Sequence, residues 1–316
     1  MVGLTIMTSM ELTLHHLRLL REVAAQGTIS AAADSLGYTS SAVSQQLAGL
    51  ERACGVAVLE RAGRNVRLTD AGRELVRRAD SLLADAEEAL VAVERVGNSV
   101  EGLVEATIYE SVAGALLPKL LRELRRLHPQ LELRTRQVDP DVAIQELIHG
   151  TIDMAFAIDY VIAPAPSYPD IERWTIMEDR FHIIVPEDDP IDVKKVELAD
   201  LADRRFICSP TDISCGRWVR AACQAAGFEP LIAHALDDFT AALRLVAAGE
   251  GIALVPDLGL VDPPPGIRKL ELSQPLTRSI QLAVRRSSAQ RPALLAIREI
   301  LEGIAAELCF KPVLVA

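Results

Sequence analysis

The sequence has 316 residues, of which only 4% are aromatic, and it has no long apolar run. Because a membrane-spanning helix needs roughly 20 apolar residues, we expect no membrane segment. The first 20 residues contain neither a basic region nor a small-residue cleavage site, so we expect a cytoplasmic protein. With 50% hydrophobic and 24% charged residues, the composition is that of a globular chain with two or three domains.

Cysteine is also scarce, and the five cysteines are widely scattered. They stand at positions 54, 208, 215, 223 and 309. An odd, dispersed set predicts neither a disulfide framework nor a tetrahedral zinc site. We therefore expect no metal and no cofactor.

Positive charge is scarce overall but is concentrated near the N-terminus. The net charge is −11, which by itself disfavours nucleic-acid binding. Residues 52–78, however, contain seven arginines against three acidic residues, and no lysine precedes Lys119. Arginine is suited to forked contacts with phosphates and guanine edges. The distribution favours a large soluble body that carries a small anion-binding head.

Three short helices are predicted at the start of the chain. Apolar spacing predicts the first at residues 14–26, Ser30 is the expected N-cap of the second, and Thr39 caps a third that ends before Gly55. Two short helices joined by a three-residue turn are typical of a helix-turn-helix.

The third helix has one apolar and one polar face. Val43, Leu47 and Leu50 are expected to be buried. The residues expected to face DNA are Ser30, Thr39, Ser40, Ser41, Ser44 and Gln45. Short polar side chains can contact base edges or phosphates while leaving room for the helix in the major groove. The alternative is that they form an ordinary solvated surface.

A basic hairpin is predicted after the third helix. Two β-prone runs flank the turn at residues 61–65, which places Arg61 and Arg64 at the tip and Arg67 nearby. Such a wing would contact the DNA backbone or minor groove. Arginines on a turn are often only solvated, but three helices followed by a basic hairpin favour the DNA interpretation.

A long helix without proline is predicted at residues 70–97, with Thr69 as its cap. Apolar residues recur along it every three or four positions, at Leu75, Ala79, Leu82, Ala86, Leu90 and Val93. This seam predicts pairing with the same helix of a second chain. The alternative is a helix packed on its own chain.

From Gly102 onward, β-prone and helix-prone runs alternate, which predicts two similar α/β units. We expect the chain to cross between them at residues 159–171 and again at residues 266–275. A ligand would lie between the units, at strand ends and helix N-termini. The residues predicted to contact it are Ser111, Asp139, Asp141, Ser209 and Thr211. The alternative role for each is simple helix capping. Acidic residues here would repel a carboxylate ligand that lacks an amine.

The segment AAQGTISAAADSLGYTSSAVSQQLAGLE, followed by RAGRNVRLTDAG, resembles the head of the LysR-type transcriptional regulators. Weaker similarity continues through LLPKLL, LHPQLEL, HGTIDMAFAI and VAAGEGIALVP. Three positions depart from the family pattern. Leu59 replaces the usual phenylalanine, while Ser40 and Ser41 replace a frequent glutamine and proline. The two serines lie on the DNA-facing edge and would change the sequence that is recognised.

The resemblance implies an α/β protein with an N-terminal winged helix-turn-helix, a long linker helix and a two-lobed effector domain like periplasmic binding proteins. The expected boundaries are an extension at 1–9, a DNA-binding domain at 10–69, a linker helix at 70–98 and an effector domain at 99–316. Lobe I would comprise 99–162 and 270–316, and lobe II 163–269. Double-stranded DNA, a small-molecule effector and further copies of the chain, as a homodimer and a dimer of dimers, are the expected partners, with RNA polymerase as a further one.

Three other functions compete with this one. An enzyme is disfavoured because the chain has no Walker loop, GxGxxG, HExxH or GxSxG motif. A binding protein for transported solutes would account for the effector body. It would also carry a leader sequence, which we do not expect here, and it would have no DNA-binding head. A redox-sensing member of the same family would use Cys215 and Cys223, but eight residues of intact helix separate them by about 12 Å, beyond disulfide reach.

Overall fold

The computed structural model describes residues 12–63, 65–97, 99–160, 166–191 and 193–308. The chain divides into two compact units, residues 1–97 and 98–316. Among the described residues, no helix is both long enough and apolar enough to cross a membrane. The predicted extension at residues 1–9, Arg64 and the cysteine at position 309 lie outside the described residues.

The N-terminal unit consists of four helices and one hairpin. In chain order these are α1 (Leu14–Gln26), α2 (Ile29–Ser35), α3 (Ser40–Cys54), β1 (Leu59–Ala62), β2 (Asn65–Leu68) and α4 (Asp70–Gly97). One apolar cluster from α1, α2, α3 and Val58 forms the core of this unit. Ala32 and Ala33 are both fully buried in it, which allows α2 to approach its neighbours closely.

Threonine hydroxyls cap the first three helices. Thr13 accepts a hydrogen bond from the amide of His16, and Thr39 accepts one from Ala42 at 3.2 Å. The predicted cap at Ser30 is wrong. Thr28 has the extended backbone of an N-cap and accepts from Ala31 at 3.1 Å, so Ser30 is already the second residue of α2.

The hairpin and the start of α4 are tied together through a close backbone contact. Leu59 pairs with Leu68 and Ala62 with Asn65, as expected for a two-stranded wing. Gly72 packs directly on this hairpin, because a Cβ at that position would lie 2.0 Å from the carbonyl oxygen of Val58. Any larger residue at position 72 would displace α4 from the wing.

The linker helix α4 packs partly on its own chain. Its predicted seam is wrong at the N-terminal end, because Ala79 and Leu83 form a cluster with Leu17 of α1, with Leu75 packed against it. From Leu82 onward, Leu83 and Val91 are buried but the other large apolar residues are exposed. These are Leu82 (43%), Leu90 (66%), Val93 (71%) and Val96 (88%). The stripe available to a partner therefore begins at Leu82.

The C-terminal unit is an α/β structure. Its strands are β3 (Gly102–Ile108), β4 (Leu131–Gln137), β5 (Met154–Tyr160), β6 (Ile171–Pro186), β7 (Lys195–Val196), β8 (Arg205–Cys208), β9 (Leu231–Ala235), β10 (Ala253–Pro256), β11 (Ile267–Leu272) and β12 (Thr277–Arg285). Its helices are α5 (Glu110–Ala115), α6 (Leu117–Leu127), α7 (Pro140–His149), α8 (Ser214–Ala225), α9 (Phe239–Ala247) and α10 (Pro292–Leu308). Pro118, in the first turn of α6, divides α5 from α6 where the sequence predicted one helix.

Most strands belong to one sheet in the order β4-β3-β5-β12-β6-β11-β7, with β10 also paired to β6; β8 and β9 pair separately. Strand β6 joins two halves of this sheet. Residues 171–180 pair with β12, whereas residues 181–186 pair with β10 and β11. Below, lobe I denotes β3, β4, β5, β12, the first part of β6, α5, α6, α7 and α10. Lobe II denotes the rest of β6, β7 to β11, α8 and α9.

The first crossover between the lobes was predicted in the wrong place. It lies within β6 at Arg180 and Phe181, because the preceding residues still pair with β12. The polar side chains of residues 178–180 interrupt the apolar pattern, so the sequence predicted a strand only from Phe181. The second crossover, predicted at residues 266–275, lies between the end of β11 and the start of β12.

Candidate DNA interface and ligand cleft

The polar edge of α3 is exposed and its apolar edge is buried. Val43, Leu47 and Leu50 are at most 4% exposed. The predicted DNA-facing residues are all exposed, namely Ser30, Thr39, Ser40, Ser41, Ser44 and Gln45. The Ser44 hydroxyl donates to the Ser40 carbonyl at 2.8 Å, which leaves its oxygen free to accept from an approaching donor. The helix thus presents hydroxyls and an amide outward from a fixed core.

One polar side chain of this helix was missed by the sequence analysis. Gln46 is exposed, and its side-chain oxygen lies 3.1 Å from Nε2 of His16 on α1. This contact fixes the edge of α3 relative to α1. The only sequence feature that points to Gln46 is its position next to Gln45 on the same helix.

The wing carries one unpaired and one paired arginine among the described residues. Arg61 is exposed and has no ion-pair partner in the part of the chain that the structure describes. Arg67 donates twice to Oε1 of Glu60 across the hairpin, at 2.9 and 2.6 Å. Of the two, Arg61 has donors that are ready to contact phosphate, whereas Arg67 would have to share its guanidinium with Glu60.

The two lobes enclose a cavity of about 230 Å³. Its lining residues are Tyr109, Glu110, Ser111, Gln137, Val138, Asp139, Pro140, Ile158, Ile213, Ser214, Cys215, Asp237, Phe239 and Arg278. The lining combines an apolar wall with a few convergent polar groups, as in small-molecule sites. Ser111 and Asp139 are the two predicted ligand contacts that line it.

The base of the cavity is a buried charge network that the sequence analysis missed. Arg278 of β12 is 1% exposed and donates to the Asp179 carboxylate of β6 at 2.9 and 2.7 Å. It also donates to the Ser111 hydroxyl at 2.7 Å. Tyr109 lies 5.6 Å below the guanidinium, and burial raises the pKa of its hydroxyl above the ordinary value. No motif marks Arg278, because an arginine in a strand is usually exposed.

Carboxylates of lobe I reach the helices of lobe II across the cavity. Oε1 of Glu110 accepts from the amide of Phe239 at 2.7 Å. Oδ2 of Asp139 accepts from the amide of Ser214 at 3.0 Å, while Oδ1 caps its own helix through Asp141. Burial raises the pKa of Glu110, as do the nearby carboxylates of Asp238 and Asp237. Glu110 was missed although it directly precedes Ser111.

The other predicted ligand contacts lie beside the cavity. Ser209 donates to the Asp237 carboxylate at 3.0 Å. Asp141 forms an exposed ion pair with Arg217. Thr211 is exposed and does not belong to the cavity lining. Among the described residues, no group of three or more His, Cys, Asp or Glu side chains is placed to hold a metal ion.

Two family models match nearly the whole chain. The model described as a bacterial regulatory helix-turn-helix protein of the lysR family matches residues 14–73, and the LysR substrate binding domain matches residues 97–305. The chain belongs to the LysR family of bacterial transcriptional regulators. It therefore combines a DNA-binding head with an effector-binding domain, as the resemblance had implied.

Individual LysR regulators are similar over most of their length. The transcriptional dual regulator GltC of Bacillus subtilis is 29% identical over 246 residues, which cover 77% of this chain and 80% of GltC. The small neutral protease regulatory protein of Streptomyces coelicolor is 31% identical over 283 residues, covering 87% and 83%. Full-length CbnR in complex with its target DNA aligns with a TM-score of 0.53 at 26% identity, covering 93% of this chain and 100% of CbnR.

The thiols of this LysR regulator do not favour redox sensing. Cys215 and Cys223 both lie on the continuous helix α8, so the 12 Å estimate of their axial separation applies. Burial raises the pKa of Cys215, and it raises that of Cys223 to about 12 and that of Cys208 to about 11. Because the thiolate is the reactive form, these shifts suppress reaction with peroxide.

Proposed function

We propose that α3 enters the major groove of operator DNA while the β1–β2 hairpin contacts the neighbouring backbone. The exposed polar edge of α3, fixed over a buried apolar edge, is the observation that carries this proposal. Ser40, Ser41, Ser44 and Gln45 approach the bases, with Ser30 and Thr39 at the flanking backbone. Arg61 and Arg64 contact phosphates, and Arg67 supports the wing through Glu60.

The exposed stripe of α4 supports homodimer formation. Leu82, Leu90, Val93 and Val96 present apolar side chains to solvent on one helix, and burying them against the same stripe of a second copy removes this area from water. A two-fold dimer places two α3 helices on a two-fold DNA site.

The cavity between the lobes supports binding of a small-molecule effector. Ser111 and Asp139 line it together with an apolar wall that includes Ile158 and Phe239. A ligand there alters the angle between the lobes, and through a dimer the spacing of the two heads. Membership of the LysR family supports action in the cytoplasm by binding rather than by catalysis, with RNA polymerase at the regulated promoter as a further partner.

Selection of DNA from a random-sequence pool with the full-length protein tests the DNA contact. We expect enrichment of a two-fold symmetric site. Ser41→Asp, which places a negative charge on the polar edge of α3, should weaken binding of the selected site at least about tenfold. Ser81→Asp, the same change on exposed α4, is the matched control and should leave binding unchanged. Equal effects of the two variants would exclude α3 as the DNA-contacting helix. A pool without any enriched site would exclude sequence-specific DNA binding.

A further inference from the structure

The N-terminus of α8 depends on the opposite lobe for its hydrogen bonds. The residue at its N-cap is Ile213, whose side chain cannot accept a hydrogen bond. The amide of Ser214, the first helical residue, instead donates to Asp139 of lobe I at 3.0 Å. Because the first amides of a helix have no partner within the helix, separation of the lobes would leave this donor without its protein acceptor.

The N-terminus of helix α9 also donates a hydrogen bond to lobe I. Asp238 caps it by accepting from Ala241 at 2.8 Å, but the amide of Phe239 donates to Glu110 of lobe I at 2.7 Å. The two helices that project toward the cavity from lobe II are therefore both held by carboxyl oxygens from lobe I. A third contact, the exposed ion pair of Asp141 with Arg217, lies on the same side as Asp139.

We propose that Glu110 and Asp139 form an inter-lobe latch that keeps the cleft closed when no effector is bound. The closed state gains two hydrogen bonds to helix N-termini, one on each side of the cavity, and both are lost together when the lobes part. An anionic effector can reach these same amides only by displacing one of the two carboxylates. This regulation of the cleft rests on the proposed function, although the latch itself does not require DNA.

Residue-resolved amide hydrogen exchange of the full-length protein without ligand tests the latch. In the wild type, the amides of Ser214 and Phe239 should exchange at least about tenfold more slowly than in an unstructured chain. Asp139 uses one carboxylate oxygen for the amide of Asp141 and the other for the amide of Ser214. Asp139→Asn keeps an oxygen that caps α7 but replaces the acceptor of Ser214 with an NH₂ group, which cannot accept a hydrogen bond. Glu110→Ala removes the acceptor for Phe239, whereas Glu110→Gln retains an oxygen and serves as its conservative partner.

A latch couples the two sides of the cavity. Asp139→Asn should therefore accelerate exchange roughly tenfold at Phe239 as well as at Ser214, Glu110→Ala should do the same, and Glu110→Gln should restore protection. The exchange of Leu282 in the centre of β12 reports whether a variant remains folded. Acceleration only at the contacted amide in a folded variant overturns the proposal. Amides of Ser214 and Phe239 that exchange in the wild type as fast as in an unstructured chain also overturn the proposal. This result would not depend on whether the protein binds DNA.

Discussion

Arg278 and Asp179 stand directly opposite each other on β12 and β6 and form a fully buried ion pair where the two lobes meet. Their side chains are 1% and 0% exposed. The same arginine binds Ser111 in the cavity lining. A single buried guanidinium thus connects the first helix of lobe I, the crossover strand and the ligand cavity.

Removing the charge of Asp179 should strongly destabilise the effector domain. Asp179→Asn leaves the Arg278 guanidinium buried without a counter-charge, which costs about 3–5 kcal/mol. Urea unfolding followed by circular dichroism measures the loss. Glu132→Gln removes one partner of an exposed ion pair with Arg134 and should leave the unfolding curve unchanged. Equal unfolding midpoints for Asp179→Asn and the wild type would contradict a structural role for the pair.

Substitutions on α3 and on the wing should have different effects on DNA binding. Gln45→Ala or Ser44→Ala should weaken operator binding by about 1–3 kcal/mol with little effect on random DNA, because base contacts carry the specificity. Arg61→Ala or Arg64→Ala should weaken binding to both DNAs and reduce the salt dependence by about one phosphate contact. Fluorescence anisotropy over a salt series distinguishes these outcomes. Parallel losses on both DNAs for Gln45→Ala would argue against a base contact.

A charge in the exposed stripe of α4 should dissociate the dimer. Val93→Asp places a carboxylate in the centre of the stripe, where a second copy would bury it, so sedimentation velocity should show a shift from dimer to monomer. Arg95→Asp changes the charge more but lies on another face of the helix, and it should leave the dimer intact. A dimer that persists in Val93→Asp would place the interface elsewhere.

The two polar residues at the start of α2 should differ in their effect on stability. Thr28→Ala removes the observed cap and should cost about 1 kcal/mol of the free energy of unfolding of the head. Ser30→Ala, two residues later, replaces an exposed residue within the helix and should have little effect. Thermal unfolding of both variants checks this, and the reverse order of effects would restore Ser30 as the cap.

The ionisation of Glu110 should make stability depend on pH. Burial raises its pKa above the ordinary value of 4.5, so the folded state binds this proton more tightly than the unfolded state. Stability from this group is therefore complete below the ordinary pKa and is lost as the pH rises through the raised one. Relative to Glu110→Gln, the wild type should become less stable as the pH rises above 4.5 and through the raised pKa. Parallel urea titrations of the two proteins test this, and a constant difference would contradict the shift.

Local patterns were sufficient to predict the head. The apolar spacing of α1 and α3, the alanines of α2 and the basic hairpin are all determined by residues within a few positions of one another. The exception is the cap of α2, because Thr28 and Ser30 can both cap a helix and the structure begins α2 directly after Thr28. The exposed polar edge of α3 follows from the same helical period.

The cavity could be predicted only in outline. Strand ends and helix starts placed Ser111 and Asp139 in the lining of this cavity, because their position follows from the order of the elements alone. The sequence alone determined a winged head, a long helix and an alternating α/β body, since hydrophobic periodicity acts over short distances. Only the tertiary structure decided that Arg278 meets Asp179 and Ser111, 99 and 167 residues away, and that Glu110 meets Phe239. Such contacts depend on which segments the sheet brings together, and no local pattern of residues encodes that.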